Sequence, residues 1–368
     1  MHYGAEMTRD HRMLDRSFRD LLWDDVPVLA IALALFCIEL AIFLYNGIAV
    51  GLELAVVNAR LYTAAGFAML VIDMALLLIR NRPDRPTMFL IETYMRRLRS
   101  PVFLAALPIF AFVIVFMPFF SKMKSMIALF NDFSWDPAFI AWDRFIFFGY
   151  DAWEVLQPVL GYPYVTAALA VAYHLWMLLI YAGTLFFVFY QAAAGFRREY
   201  LLGFFLIWTV IGNVLATMLA SVGPCFVGPI LGMNTFDAQM AYLNKANETV
   251  PIMTLRVQEL LLGWYHEGER GLGSGITAMP SMHVAMAMLF WLAVRRVSPA
   301  AGKLFFAFFV VIWVGSVHLA YHYFVDGLVS VVATLILWQI SQAIIKWWDA
   351  QAFARRQPTL RTNTVPAE

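Results

Sequence analysis

The chain has 368 residues, of which 62% are hydrophobic and only 14% are charged, whereas an ordinary soluble domain carries about 25% charge. This composition excludes an ordinary soluble enzyme and indicates an integral membrane protein. The formal net charge of +1 gives no support for a nucleic-acid partner. The two cysteines, Cys37 and Cys225, lie on different segments, so a structural disulfide has no support either.

Eight apolar runs approach the length of about 20 residues that a helix needs to cross a hydrocarbon core about 30 Å thick. Helices rather than strands follow from these lengths and from the need to satisfy every backbone polar group inside lipid. We therefore predict an all-α fold, a polytopic membrane bundle of about eight transmembrane helices. The predicted spans are Val28–Gly47, Leu61–Ile79, Val102–Phe120, Tyr164–Tyr190, Leu201–Ala220, Ser281–Val294, Leu304–Ala320 and Phe324–Ile345.

The distribution of basic residues predicts the orientation of this bundle. If the N-terminus is inside, nineteen of the 26 Lys and Arg residues fall on inner segments, so the positive-inside rule places both termini in the cytoplasm. The predicted organisation is a cytoplasmic segment at 1–25, two accessory helices in 26–100, a six-helix catalytic core at 101–346 and a cytoplasmic tail at 347–368. The core carries two long outer loops, at 121–163 and 221–278. We expect the protein in an inner or plasma membrane.

The two outer loops have different patterns. The loop at 121–163 is rich in Trp and Phe, which indicates either an interfacial helix or an aromatic belt at headgroup level. The loop at 221–278 predicts a short amphipathic helix around Pro251–Trp264.

Two stretches near the C-terminus carry ionisable groups at the ends of apolar runs, where such groups are costly to place. One is Met279–Ala285, with the sequence M-P-S-M-H-V-A, and the other is His318–Gly327, with the sequence H-L-A-Y-H-Y-F-V-D-G. The predicted topology brings both stretches to the outer face of the membrane, beside a turn at Ser221–Pro224. Active-site chemistry is therefore expected at the outer, periplasmic or luminal, face.

The spacing within these stretches predicts roles for three side chains. His322 and Asp326 are four residues apart, so on a helix the carboxylate can accept a hydrogen bond from one imidazole nitrogen and leave the other as a nucleophile. Pro280 and Ser281 suit a helix N-terminus, where free backbone amides receive a phosphate oxygen. His283 then lies beside the bound anion, as a general acid.

Other interpretations of these residues remain open. The histidines can serve only to hydrogen-bond neighbouring helices, or His318 and His322 can ligate a metal or haem as an i, i+4 pair. No other residues complete a coordination sphere, so we predict no metal and no cofactor. Glu39 and Asp73, inside predicted spans, also motivate a transporter, although pairing with each other or with a polar neighbour is the favoured explanation.

The motifs P-S-M-H and Y-H-Y-F-V-D resemble the second and third signatures of the type 2 phosphatidic acid phosphatase superfamily. Their flanking residues are similar to the branch that contains inositol phosphorylceramide synthase. The resemblance implies a six-helix core, a phosphohistidine formed on His322, an orienting role for Asp326, and His283 as acid and later base.

The chain departs from the phosphatase branch of that superfamily, which has an Arg six residues before the nucleophilic histidine. Ser316 occupies that position here, and Ser221–Pro224 replaces a first signature that contains Lys and Arg-Pro. These differences favour a lipid phosphotransferase that moves a phosphoryl or phosphoalcohol headgroup to an alcohol, over a lipid phosphatase that uses water. The expected partner is a membrane lipid, and nothing in the sequence indicates an oligomeric state. The predicted substrate-binding residues are Ser281, Gly223, Pro224, Tyr321, Tyr323, Arg256 and Arg270.

Overall fold

The computed structural model describes residues 17–49, 53–189, 196–268 and 275–356. Within these ranges the chain forms helices and loops and contains no β-strand, so the all-α prediction is confirmed. The helices are α1 (Phe18–Tyr45), α2 (Glu53–Asn81), α3 (Pro86–Leu98), α4 (Pro101–Lys124), α5 (Ile127–Phe130), α6 (Asp136–Ile146), α7 (Ala152–Leu160), α8 (Pro163–Phe189), α9 (Arg197–Met218), α10 (Pro224–Leu231), α11 (Asp237–Thr249), α12 (Met253–Glu267), α13 (Met282–Val297), α14 (Pro299–His318) and α15 (Phe324–Arg356).

Seven helices in the described ranges are long and apolar enough to cross a membrane, namely α1, α2, α4, α8, α9, α14 and α15. The sixth predicted span corresponds to α13, which has only 16 residues. Most side chains of α13 are buried by the surrounding helices, so its apolar length does not have to match the lipid thickness. The first predicted span is extended, because α1 begins at Phe18 behind Ser17, whose Oγ accepts a hydrogen bond from Asp20 N at 3.2 Å.

Ion pairs join the helices at one end of the bundle, which we call the charged end. They connect α1 to α9, α9 to α15 and α13 to α9, so the first accessory helix is fastened to the core. The pairs are Arg197 with Asp25 at 2.7 Å, Arg198 with Asp349 at 2.8 Å, and Arg296 with Glu199.

The opposite end, which we call the site end, is covered by α10, α11 and α12, together called the cap. Gln239 on α11 donates its side-chain amide to the carbonyls of Val317 and His318, at 2.8 and 3.2 Å. Gln258 on α12 donates in the same way to Leu319 O, at 2.9 Å. The last carbonyls of a helix lack intrahelical partners, so these amides satisfy the C-terminus of α14. The amphipathic helix predicted around Pro251–Trp264 is α12.

The two acidic residues of the accessory helices do not pair with each other. Glu39 on α1 accepts a hydrogen bond from Asn213 on α9 at 2.8 Å, and both side chains are buried. Asp73 on α2 accepts hydrogen bonds from Tyr94 Oη, at 2.6 Å, and from Arg97. Each carboxylate therefore has a polar neighbour on another helix, which is the second arrangement that the sequence left open.

Candidate active site

The His322 ring is held at one of its two nitrogens. Nδ1 lies 2.8 Å from Ala278 O and 3.1 Å from Asp326 Oδ2. Both neighbours are acceptors, so Nδ1 must carry the proton and Nε2 must present its lone pair. This is the tautomer that a nucleophilic imidazole requires, and it follows directly from the contacts.

The backbone around this ring is tied to the ends of the two helices that flank it. Tyr321 N and His322 N both donate to Ser316 O, at 3.0 and 3.3 Å, so Ser316 closes the turn after α14. Asp326, which is fully buried, also accepts Tyr323 N at 3.0 Å and so caps the first turn of α15. The carboxylate thus orients the imidazole and the turn that carries it.

Burial lowers the pKa of His322 to about 3, the Ala278 carbonyl opposes this shift, and the nearby Lys124 ammonium adds to it. The imidazole is therefore neutral at neutral pH, which is the protonation state in which a histidine can attack phosphorus.

The His283 ring lies against two aromatic side chains of α8. It stacks on Tyr173 with a centroid distance of 4.1 Å and on Trp176 with a centroid distance of 4.0 Å. These two aromatic contacts fix the position and orientation of the His283 imidazole. The centroids of His283 and His322 are 6.2 Å apart, which brings the two predicted catalytic rings together.

Comparison with models of known protein families identifies the family of this chain. The family model of the PAP2 superfamily matches residues 137–340, which is more than half of the chain and contains both histidine motifs. The chain belongs to the PAP2 superfamily. No curated protein and no solved structure matches it. Membership in the PAP2 superfamily makes this chain a membrane enzyme of the phosphatase or phosphotransferase type.

Two aspartates on α6 organise this PAP2 site, and the sequence analysis missed both. Asp136 accepts hydrogen bonds from Val222 N, Gly223 N and Tyr323 Oη, at 2.9, 3.0 and 2.7 Å, and is fully buried. It therefore joins the turn after α9 to the turn that carries His322. Burial raises the pKa of Asp136, and these three donors oppose the shift.

Asp143 lies two turns after Asp136 on the same face of α6 and caps the last helix, α15. Its carboxylate accepts Phe324 N and Val325 N, at 2.7 and 2.9 Å, which are amides that α15 itself leaves free. Burial raises its pKa to about 7, although the two amides act in the opposite direction. The loop at 121–163 is thus more than an aromatic surface, because it holds the start of α15 in place.

Lys124 is a further residue near the two histidines that the sequence analysis did not include in the site. It is the last residue of α4, and its ammonium lies within electrostatic range of both His283 and His322. Of the two arginines that the sequence predicts to bind substrate, Arg256 is exposed on the cap and Arg270 lies outside the described residues.

The remaining predicted substrate-binding residues surround the two rings in different ways. Ser281 is buried and caps α13, with its Oγ 3.4 Å from Val284 N. Tyr321 stacks on Tyr173 with a centroid distance of 4.9 Å, and so extends the aromatic wall behind His283.

Gly223 and Pro224, the two predicted residues of the Ser221–Pro224 turn, lie beside the turn that carries His322. Gly223 has a φ of +86°, and a Cβ there would lie 2.7 Å from Tyr321 O, so the close approach of the two turns requires glycine. Its amide already donates to Asp136 and is not free for a phosphate. Pro224 lines a small pocket together with His322 and Tyr323.

His318 is separate from this constellation. Its Nε2 lies 2.9 Å from Thr166 Oγ1, and its side chain is buried between α8 and the cap. No group of His, Cys, Asp and Glu side chains suited to a metal occurs in the ranges that the structure covers.

Proposed function

We propose that this PAP2 enzyme is a lipid phosphotransferase that moves a phosphoryl or phosphoalcohol headgroup through a phosphohistidine to an alcohol acceptor. His322 is the nucleophile, Asp326 orients it, and His283 is the acid and then the base. The reaction takes place at the outer face of the membrane, with both termini in the cytoplasm. The similarity of the motifs to the inositol phosphorylceramide synthase branch supports an alcohol acceptor.

The separation of the two histidine rings is the observation that supports this proposal most strongly. A nucleophile in attacking position lies about 3 Å from phosphorus, and an acid lies about 3 Å from the leaving oxygen that it protonates. Rings with centroids 6.2 Å apart can therefore flank one phosphate. The protonated Nδ1 of His322 adds to this, because only Nε2 remains to attack.

The reaction has two displacements. In the first, His322 Nε2 forms a bond to phosphorus, the bond from phosphorus to the donor oxygen breaks, and His283 gives its proton to that oxygen. In the second, the acceptor hydroxyl gives its proton to His283, its oxygen bonds to phosphorus, and the phosphorus to nitrogen bond breaks. Asp326 stabilises the positive charge that the imidazole carries while it is phosphorylated.

Phosphate charge in this scheme is balanced by side chains, because the amides of Val222 and Gly223 already donate to Asp136. Among the described residues, Lys124 is the lysine whose positive charge acts on both histidines. We therefore assign Lys124 the role of binding the phosphate oxygens. Ser281 places the first turn of α13, with its free backbone amides, beside the same anion.

The test uses the purified protein in nanodiscs with a ³²P-labelled phosphodiester lipid, with and without a lipid alcohol such as ceramide. A phosphotransferase forms a labelled lipid product only when the alcohol is present. Release of water-soluble label at the same rate in both conditions would instead identify a phosphatase.

The roles of the histidines are separated by a change of leaving group. His322→Gln should abolish the acid-labile, base-stable phosphoenzyme with every donor. His283→Gln should form little phosphoenzyme from a donor with an alkyl leaving group but should form it readily from a p-nitrophenyl donor, whose leaving group needs no proton. His318→Gln, at a buried histidine outside the constellation, is the matched control and should form normal phosphoenzyme. Phosphoenzyme in His322→Gln would exclude His322 as nucleophile.

A further inference from the structure

Helix α3 lies between two membrane spans at the charged end and has an apolar stripe that nothing in the described chain covers. Its 13 residues extend about 20 Å, too short to cross a bilayer. No residue of α3 is buried, and four apolar side chains spaced as i, i+3, i+7 and i+10 are between 41% and 54% exposed. They are Met88, Ile91, Met95 and Leu98.

The same segment is strongly basic. Positions 80–99 contain six arginines, all exposed, and only two acidic residues, Asp84 and Glu92. The arginines are Arg80, Arg82, Arg85, Arg96, Arg97 and Arg99. Among the described residues only one of them has an ion pair, which joins Arg97 to Asp73 of α2 and fixes the rotation of α3 beside that span.

We propose that α3 is an interfacial helix that binds the anionic headgroups of the membrane leaflet at the charged end. An amphipathic helix with a basic polar face buries its apolar face about 5–10 Å into the interface and attracts acidic lipids. The spans α2 and α4 on either side of α3 hold it at the membrane surface, and the unpaired arginines supply the complementary charge. This proposal does not depend on the catalytic one.

The depth of α3 is tested with nitroxide labels on the full-length protein in bilayers of phosphatidylcholine with phosphatidylglycerol. Ile91→Cys labels the apolar stripe and Glu92→Cys, one residue away, is its matched control, both in a Cys37→Ser background. The label at 91 should relax with oxygen and resist a water-soluble nickel chelate, and the label at 92 should do the reverse. Equal access of the chelate to both labels would overturn the proposal, and so would spin–spin broadening at 91, which indicates a second copy of the chain.

The preference for acidic lipid is tested by native mass spectrometry of protein released from the same bilayers. Each arginine near an anionic surface contributes about a fivefold change in affinity, so Arg96→Gln with Arg99→Gln should reduce retained phosphatidylglycerol at least about fivefold. Lys303→Gln with Lys346→Gln removes the same charge at the same end but outside α3, and should change retention less than twofold. Equal losses in the two double variants would show that general charge, and not α3, attracts the lipid.

Discussion

Replacing Asp136 tests most directly whether its carboxylate holds together the two turns beside His322. Replacing Asp136 by Asn keeps the shape of the side chain but turns one acceptor oxygen into a donor. Oδ1 accepts both Gly223 N and Tyr323 Oη, whereas Oδ2 accepts only Val222 N, so the amide will place its nitrogen toward Val222. One hydrogen bond is lost and one buried amide is left unpaired.

The expected cost follows from these contacts. A hydrogen bond to a charged group contributes about 1.5–3 kcal/mol, and an unpaired buried donor costs about 1–3 kcal/mol. Because the two contributions overlap, we expect the variant to lose about 3 kcal/mol of stability. Tyr323→Phe removes one of the three donors and leaves both amides in place, so it should lose about 1.5 kcal/mol, at the lower end of that range.

Activity should fall because the displaced turn reaches the nucleophile. Ser221 O accepts Ala278 N at 3.0 Å, and the carbonyl of Ala278 holds His322 Nδ1. A displacement of about 1 Å at the reacting groups costs about 100-fold in rate, so kcat should fall by that order while KM changes little.

The assay combines thermal unfolding in detergent with turnover in nanodiscs. Asp237→Asn, the same chemical change at an exposed aspartate of the cap, should behave as wild type in both measurements. If Asp136→Asn keeps the wild-type midpoint and turnover, the inference that this carboxylate joins the two turns is wrong.

Three further predictions follow from the site. Lys124→Met should reduce kcat/KM about 10-fold to 100-fold through loss of a charge-assisted hydrogen bond, and Lys124→Arg should retain most of it; equal activity of both variants in a steady-state assay would contradict the assigned role. Because the pKa of His322 is lowered to about 3, the nucleophile stays unprotonated on acidification. With a p-nitrophenyl phosphodiester, whose leaving group needs no acid, kcat/KM should therefore be flat from about pH 7 to about pH 5; a decline with a midpoint near 6.5 would refute this. A Cβ at Gly327 would overlap the indole of Trp313, so Gly327→Ala should lower stability by about 1–3 kcal/mol, whereas Gly263→Ala, in open space, should be neutral or stabilising; thermal unfolding compares the two.

The sequence was sufficient for those features that depend on local patterns. Apolar runs of about 20 residues predicted the spans, and the i, i+4 spacing of His322 and Asp326 predicted a contact that the structure has at 3.1 Å. The Pro and Ser before α13 also predicted its N-terminus, since Ser281 is the N-cap residue.

Features that depend on contacts between distant segments were not predictable. Asp136 binds backbone groups 86 and 87 positions away, and it lies in a loop whose aromatic content suggested only a membrane interface. In the sequence, Lys124 is one basic residue at the end of an apolar run, because its relation to the histidines arises only when α4 packs beside α8 and α9. Gly223 was predicted to bind substrate, but a buried carboxylate from another helix accepts its amide.

The cap is attached to the end of α14 through main-chain carbonyls and not through side chains. Gln239 and Gln258 bind main-chain carbonyls, which every amino acid provides, so the end of α14 can change its side chains without releasing the cap. Conversely, the outward surface of the cap can diversify while its two glutamines keep it docked. The main-chain contacts thus allow the side chains on the outward surface of the cap to change without altering the contacts that hold His322.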